Sequence, residues 1–168
     1  VVNRGMPDST VWRSPLGFNE FYVKNYFWHS AYNNYPVVGV SWYQANDFCQ
    51  WRTDRVNELL LIYAGELKPN STQSGEDVFT TESYINGQYQ GTEGPRKHRD
   101  LDPNGAGKRV RKRFDGVYLP DYRLPTEAEQ EYVIRNLGHA QGAYHFGDDE
   151  SLVKNYAWYD QNSAGHVH

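Results

Sequence analysis

Pro36-Val37-Val38-Gly39-Val40-Ser41-Trp42-Tyr43-Gln44-Ala45-Asn46-Asp47-Phe48-Cys49-Gln50-Trp51-Arg52 reads as a passage from a short β-branched run into a capped helix. Val37 to Val40 fit a brief buried strand. Ser41 then supplies the N-cap. Gln44, three residues on, completes a capping box in which the hydroxyl accepts from the Gln44 amide and the Gln side chain reaches back to the Ser41 amide. Beyond it Ala45, Phe48, Cys49, Val56, Leu59, Leu60 and Tyr63 recur on one helical face. That spacing predicts a helix from about 42 to 64 with this face inward, and Gly65 stands where a left-handed stop is expected.

A second passage, Tyr122-Arg123-Leu124-Pro125-Thr126-Glu127-Ala128-Glu129, has the same logic. Thr126 and Glu129 form a capping box, Pro125 precedes it, and Gly138 closes a predicted helix of about 127 to 137. Glu127, Glu129 and Glu131 have the look of an acid/base set, but Glu127 and Glu129 already serve a helix start, where the dipole favours anions.

From the end of the first passage, Thr53 to Tyr122 make seventy residues that lead into the second. Glu66 to Gly107 is rich in Asn, Ser, Thr, Gly and Gln and reads mostly as loop, with a helix-prone patch at Thr81 to Ile85. Lys108 to Phe114, Asp115-Gly116 and Val117 to Leu119 together predict a β-hairpin, because Asp-Gly suits a two-residue turn with positive φ. Upstream, residues 1 to 35 scatter aromatics without sustained periodicity, as short elements joined by loops do.

Bulk properties narrow the rest. The 168 residues suffice for one core, and with 38% hydrophobic residues but 14 Tyr and 5 Trp, burial must rely on large rings whose polar atoms need partners. A net charge of −4 gives no global drive toward nucleic acid. No apolar run approaches the roughly 20 residues of a membrane span. The start at Val1 and the end at His168 suggest a segment of a longer protein. Cys49 is the single cysteine, so no internal disulfide forms, and a lone Cys on an apolar helix face reads as a small buried hydrophobe.

Eight of the 17 Lys and Arg residues fall between Arg96 and Arg113. A phosphate-binding stripe is the sharp reading, and a charged, solvent-facing hairpin edge or a surface for an acidic protein partner is the favoured one. His166 and His168 would share one side of a strand, with no third metal ligand identifiable. His29, His98, His139 and His145 read as solvated or structural, and Asp148-Asp149-Glu150 as an acidic turn lacking calcium-loop spacing. No nucleophile elbow, phosphate-cradling glycine loop or His-Glu-x-x-His run is present.

The two passages resemble the signature of the formylglycine-generating-enzyme (sulfatase-modifying factor) domain family, and Asn155 to Ser163 resembles, less specifically, its following Asn/Trp segment. The resemblance implies an α+β, C-type-lectin-like scaffold: a single, incomplete domain over 1–168 with two main helices, short strands and a long loop/hairpin insertion at 53–122. Gln130 stands where the family usually has tryptophan. The family's oxidases resemble copper enzymes with two cysteine thiolates, which one thiol cannot reproduce, and the Gly-Asn-Val-Trp-Glu-Trp-like segment that supplies much of the family's calcium coordination is missing. The resemblance therefore carries over no catalytic residue, cofactor or metal.

The insertion is similar to that of Bacteroidota gliding-motility lipoproteins of the GldJ type, or the related GldK/PorK type. The likeness rests on Trp51 to Glu58, Tyr84-Ile85-Asn86-Gly87-Gln88-Tyr89-Gln90-Gly91 and Gly116 to Tyr122, with Phe18-Asn19-Glu20 and His29-Ser30-Ala31-Tyr32 upstream. It implies a non-enzymatic structural component of the type IX secretion and gliding machinery. Such a component is lipid-anchored at the periplasmic face of the outer membrane, through an N-terminal lipid outside this segment, and contacts other secretion and gliding proteins in a periplasmic ring rather than nucleic acid. Ser41, Gln44, Thr126 and Glu129 are then structural caps, and Tyr84, Tyr89, Arg109, Arg111, Arg113 and Tyr118 are candidate partner contacts. Deleting residues 66 to 121 is expected to leave the scaffold folded. Two other classes stay open: a formylglycine-generating-type metal-dependent oxidase, and a lectin-like carbohydrate- or peptide-binding module.

Overall fold

The computed structural model describes residues 6–135 and 141–165. Among these the helices are α1 (Glu20–Asn25), α2 (Trp42–Tyr63), α3 (Thr81–Ile85) and α4 (Glu127–Ile134), joined by 3-10 turns. Two short strands, β1 (His98–Arg99) and β2 (Lys108–Arg109), pair antiparallel with His98 opposite Arg109. The mixture is that of an α+β protein. No helix among the described residues is long and apolar enough to cross a membrane. The chain divides into two compact units, Val1–Gln44 with Leu124–His168, and Ala45–Arg123. The second contains the whole segment expected as an insertion, together with most of the helix that precedes it.

Both predicted caps form. The Ser41 amide donates to Gln44 Oε1 at 2.8 Å and the Gln44 amide to Ser41 Oγ at 3.3 Å. Thr126 and Glu129 repeat the pattern at 2.8 and 3.3 Å. Gly65, at φ +77°, ends α2 as expected, and a Cβ there would press on the Arg96 side chain at 3.0 Å. α4 is described to Ile134 with Arg135 as its C-cap, and Leu137, Gly138, His139, His166 and His168 lie outside the described residues.

In the first unit, an aromatic cluster stands in for aliphatic packing. Tyr26, the C-cap of α1, is 6% exposed, with the rings of Trp12, Tyr32, Tyr22 and Tyr35 centred 5.0 to 6.4 Å away. Its hydroxyl donates to the Pro36 carbonyl at 2.7 Å, the kind of partner a buried phenol requires. Val37 to Val40 do not form the expected strand. Gly39 turns left-handed at φ +71°, its carbonyl accepts the Asp8 amide at 2.7 Å, and Val37 is exposed. A loop closure takes the backbone groups that a strand neighbour would need. In the 141–165 stretch, Phe146 stacks on Tyr144 and Tyr156, while Asp149 caps the 3-10 turn Glu150–Asn155 through the Ser151 amide at 2.9 Å.

The second unit holds the best-buried apolar cluster among the described residues. Leu61 and Phe79 are fully buried, and Leu67 and Tyr84 nearly so, with Ile62, Tyr89, Val110 and Tyr118 around them. Leu61 and Ile62 are on α2 and the rest come from the chain that follows it, between Leu67 and Tyr118. Residues 66 to 107 are mostly loop as read, with α3 at the helix-prone patch, but this loop packs as core, which corrects the expectation for a deletion of 66 to 121: it would remove the core that Leu61 enters. The structure also corrects the orientation of α2. Phe48, Leu59 and Tyr63 are exposed, whereas Thr53, Asp54, Asn57 and Glu58 face inward.

Candidate functional site

The inward face of α2 is a polar seam that receives the insertion's backbone. Asp54 Oδ1 accepts the Thr81 amide at 2.8 Å, Asn57 Oδ1 the Leu119 amide at 3.2 Å, and Thr53 Oγ1 the Tyr122 amide at 2.9 Å. Asn57 also donates to Thr81 Oγ1 at 3.2 Å. Arg55 donates to the Phe79 carbonyl at 2.5 Å and to Gln73 Oε1 at 3.0 Å, and Gln73 Oε1 accepts the Phe79 amide at 2.9 Å. Glu58 is held by Arg55 at 2.9 Å and by the Gln73 amide group. Buried main-chain groups need partners, and with little β-sheet present the side chains of one helix supply them.

Three cations of the basic cluster, Arg109, Arg111 and Lys112, become internal struts. Arg109 grips Asp115 with two nitrogens at 2.6 and 2.9 Å, and His98 Nε2 approaches the same carboxylate at 3.4 Å. Arg111 donates through Nε and Nη2, at 2.8 and 2.6 Å, to Glu66, whose residue is 4% exposed. Tyr84 donates its hydroxyl to the other Glu66 oxygen at 3.2 Å. Lys112 reaches the Ile85 carbonyl at 2.5 Å, and Tyr118 donates to the Arg111 carbonyl at 2.9 Å. Arg113 pairs with Asp121 at 3.2 Å in an exposed position, where such pairs contribute little.

The predicted hairpin at Asp115-Gly116 is corrected by these contacts. Asp115 Oδ2 accepts the Lys112 amide at 2.7 Å, closing the 3-10 turn Arg113–Asp115 that ends at Gly116 with φ +79°. A two-residue type I′ turn needs positive φ at both central residues, and Asp115 does not adopt it. β2 pairs backward with β1 instead.

The hydrogen bonds from Arg109, helped by the Lys112 amide, hold the Asp115 carboxyl far below the ordinary carboxylate range. A depressed folded-state value means that the unfolded chain binds the proton more readily, so stability rises with pH. The Asp115 contribution is complete at neutral pH and is lost as pH falls below about 4 toward the folded-state value. Urea unfolding at several pH values should show that acid limb in the native chain and a flatter one in Asp115→Asn. At the other extreme, burial and then the Glu66 charge push the Tyr84 hydroxyl well above its usual value, and burial does the same for Tyr118.

Of the candidate contact residues, Tyr84 is a core residue, 7% exposed. Arg109, Arg111 and Tyr118 are half-buried in the struts, and Tyr89 lies half-buried with its ring 5.3 Å from Phe79. Arg113 is exposed. Beside it Phe114, 82% exposed, lies beneath the Arg109 guanidinium at 5.5 Å, and Leu101 is 79% exposed. Of the eight cations between Arg96 and Arg113, Arg109, Arg111 and Lys112 are half-buried in the struts, while Arg96, Lys97, Arg99, Lys108 and Arg113 are exposed, beside the apolar Phe114 and Leu101. His29 accepts the Ala31 amide at 3.2 Å as a turn cap, and His145 packs edge-on to Phe146 and Tyr156. Composition alone did not point to the seam residues Thr53, Asp54, Asn57 and Glu58. Their own spacing, two adjacent polar pairs one helical turn apart, was the signal that could have.

No curated protein and no solved structure matches the chain significantly. The model of the sulfatase-modifying factor enzyme 1-like domain does match, over residues 17–166. That span takes in both capping-box passages and the unit between them, so the chain belongs to the FGE-sulfatase family.

Proposed function

We propose that this protein is a non-enzymatic structural component of the Bacteroidota type IX secretion and gliding-motility machinery, of the GldJ or GldK/PorK type. It sits at the periplasmic face of the outer membrane by a lipid attached outside this segment, and its 45–123 unit meets other proteins of a periplasmic ring. The observation that carries the reading is the construction of that unit: a core and a polar seam brace the segment between the family motifs. On that brace stand Arg113, Phe114 and Leu101, exposed side chains of the kind that mark protein contacts.

The oxidase alternative needs two thiolates to hold a soft copper ion. Cys49 is the only thiol of this sequence and lies half-buried on α2. Among the described residues no three His, Cys, Asp or Glu side chains converge. The residues present do not fit that metal.

Because deletion of the segment would take the core with it, the test uses surface changes. Arg113→Glu combined with Phe114→Ala should leave urea unfolding within about 0.5 kcal/mol of native, as surface substitutions usually do. The same change should strip the protein from the ring complex when outer membranes are solubilised and purified. Unchanged co-purification argues against the contact reading, and stoichiometric copper with conversion of a sulfatase cysteine peptide to formylglycine would replace it by the oxidase.

A further inference from the structure

The 45–123 unit also carries an open groove of about 380 Å³ between the first half of α2 and the extended chain at Val78 to Thr80. Asp47, Gln50, Trp51 and Asp54 stand at i, i+3, i+4 and i+7 on α2, and all line it. Trp51 is 53% exposed, its indole braced by Phe48 with ring centres 5.6 Å apart. Asp54 is 6% exposed; its Oδ1 accepts the Thr81 amide at 2.8 Å and Gln50 Nε2 at 3.5 Å, and Oδ2 has no hydrogen bond among the described residues. A carboxylate oxygen with no protein donor at the edge of an open groove can accept from a group that fills it.

Arg55 lines the same groove but brings no free donor to it. Its Nη1 and Nη2 are engaged by Glu58, Gln73 and the Phe79 carbonyl, and its Nε is shut off from solvent. Glu58 already balances its charge. The groove therefore offers an exposed indole and the carboxylates of Asp47 and Asp54, with the Gln50 amide group already donating to Asp54, so acceptors exceed donors. A neutral sugar, whose hydroxyls both donate and accept, leaves part of its hydrogen bonding unmet there. A cation meets all of it, through the aromatic face and charge-assisted bonds to the carboxylates.

We propose that this groove takes the Lys or Arg side chain of an extended segment of a protein partner. The inference rests on the reading of the 45–123 unit as a protein-contact unit and gives its partner a chemistry. The second copy of this chain and a glycan are the other occupants to be separated from it.

The test uses the 168-residue chain and acetylated pentapeptides that differ only at the central residue, Lys, Arg or Gln, titrated at low salt against the Trp51 indole N–H resonance. The Lys and Arg peptides should bind about tenfold more tightly than the Gln peptide, and the difference should shrink with added salt. Asp47→Asn and Trp51→Ala change exposed side chains, so circular dichroism should stay native while basic-peptide binding falls about fivefold or more in each. Equal binding of the Gln peptide, unaltered binding by both variants, preference for a chito-oligosaccharide, or an indole shift that follows protein concentration without peptide each overturns the proposal. If the peptides fail to discriminate while Arg113→Glu with Phe114→Ala still abolishes ring co-purification, the groove inference fails and the contact reading stands. If basic peptides bind as expected and that co-purification is untouched, the contact reading fails and the groove remains a site.

Discussion

Phe79→Ala is expected to destabilise the protein by about 3–5 kcal/mol, the range for truncating a fully buried aromatic side chain. The ring has no exposed surface and lies among Leu61, Tyr84 and Tyr89, with ring centres 5.9 and 5.3 Å away for the two tyrosines. The size of the loss depends on whether the walls can close on the gap. Here they are held, because the Phe79 amide and carbonyl are fixed by Gln73 and Arg55, and Arg55 in turn by Glu58. Phe79→Leu fills most of the volume and should cost much less. Equilibrium urea unfolding of both variants checks the order, and a loss below about 1 kcal/mol for the alanine variant would show that the site collapses freely.

Arg111→Ala should cost a comparable amount for a different reason. It leaves the Glu66 carboxylate, 4% exposed, with the Tyr84 hydroxyl as its one remaining side-chain partner among the described residues. An uncompensated buried charge costs about 3–5 kcal/mol. Removing both charges with shape retained, Arg111→Met with Glu66→Gln, should recover most of that loss, because the intact pair owes much of its apparent strength to the penalty of breaking it. Urea unfolding of the two single variants and the double variant closes the cycle. A double variant as unstable as Arg111→Ala would mean that the pair itself, rather than the orphaned carboxylate, sets the stability.

The parts of this fold that were legible in the sequence are those decided within a few residues. Ser41 with Gln44, Thr126 with Glu129 and Gly65 each act on neighbours one to four positions away, and each stands where the sequence puts it. The α3 helix at Thr81–Ile85 is legible for the same reason, with Thr80 accepting the Ser83 amide. The inward side of α2 was not legible. Both faces of that helix have a consistent period, and the choice between them is made by amides 62 and 69 positions away in sequence. Asp115-Gly116 misled in a similar way, since an Arg six positions upstream captured the aspartate that a local turn rule assigns to a hairpin. In the basic cluster the sequence shows the charges, but the capture of Arg111 by Glu66 and of Arg109 by Asp115 belongs to the fold.

The seam on α2 also has a consequence for how this unit can change over time. Thr81, Leu119 and Tyr122 each seat a main-chain amide on a fixed side chain, so the chain is indexed at three positions, whatever the residues there happen to be. Between the first two of these index points the core residues and struts fix most of the path, but exposed stretches between them can lengthen at little cost: doubling the length of a flexible loop costs only about 0.6 kcal/mol. Residues added in the exposed stretch from Asn86 to Gln88 would lengthen the excursion without shifting any index point. One residue lost between Leu119 and Tyr122 would throw an amide out of step and leave Asn57 or Thr53 facing nothing. Length is thus cheap to vary in one place and nearly forbidden in another, which lets the outer surface diversify while its attachment to the helix stays constant.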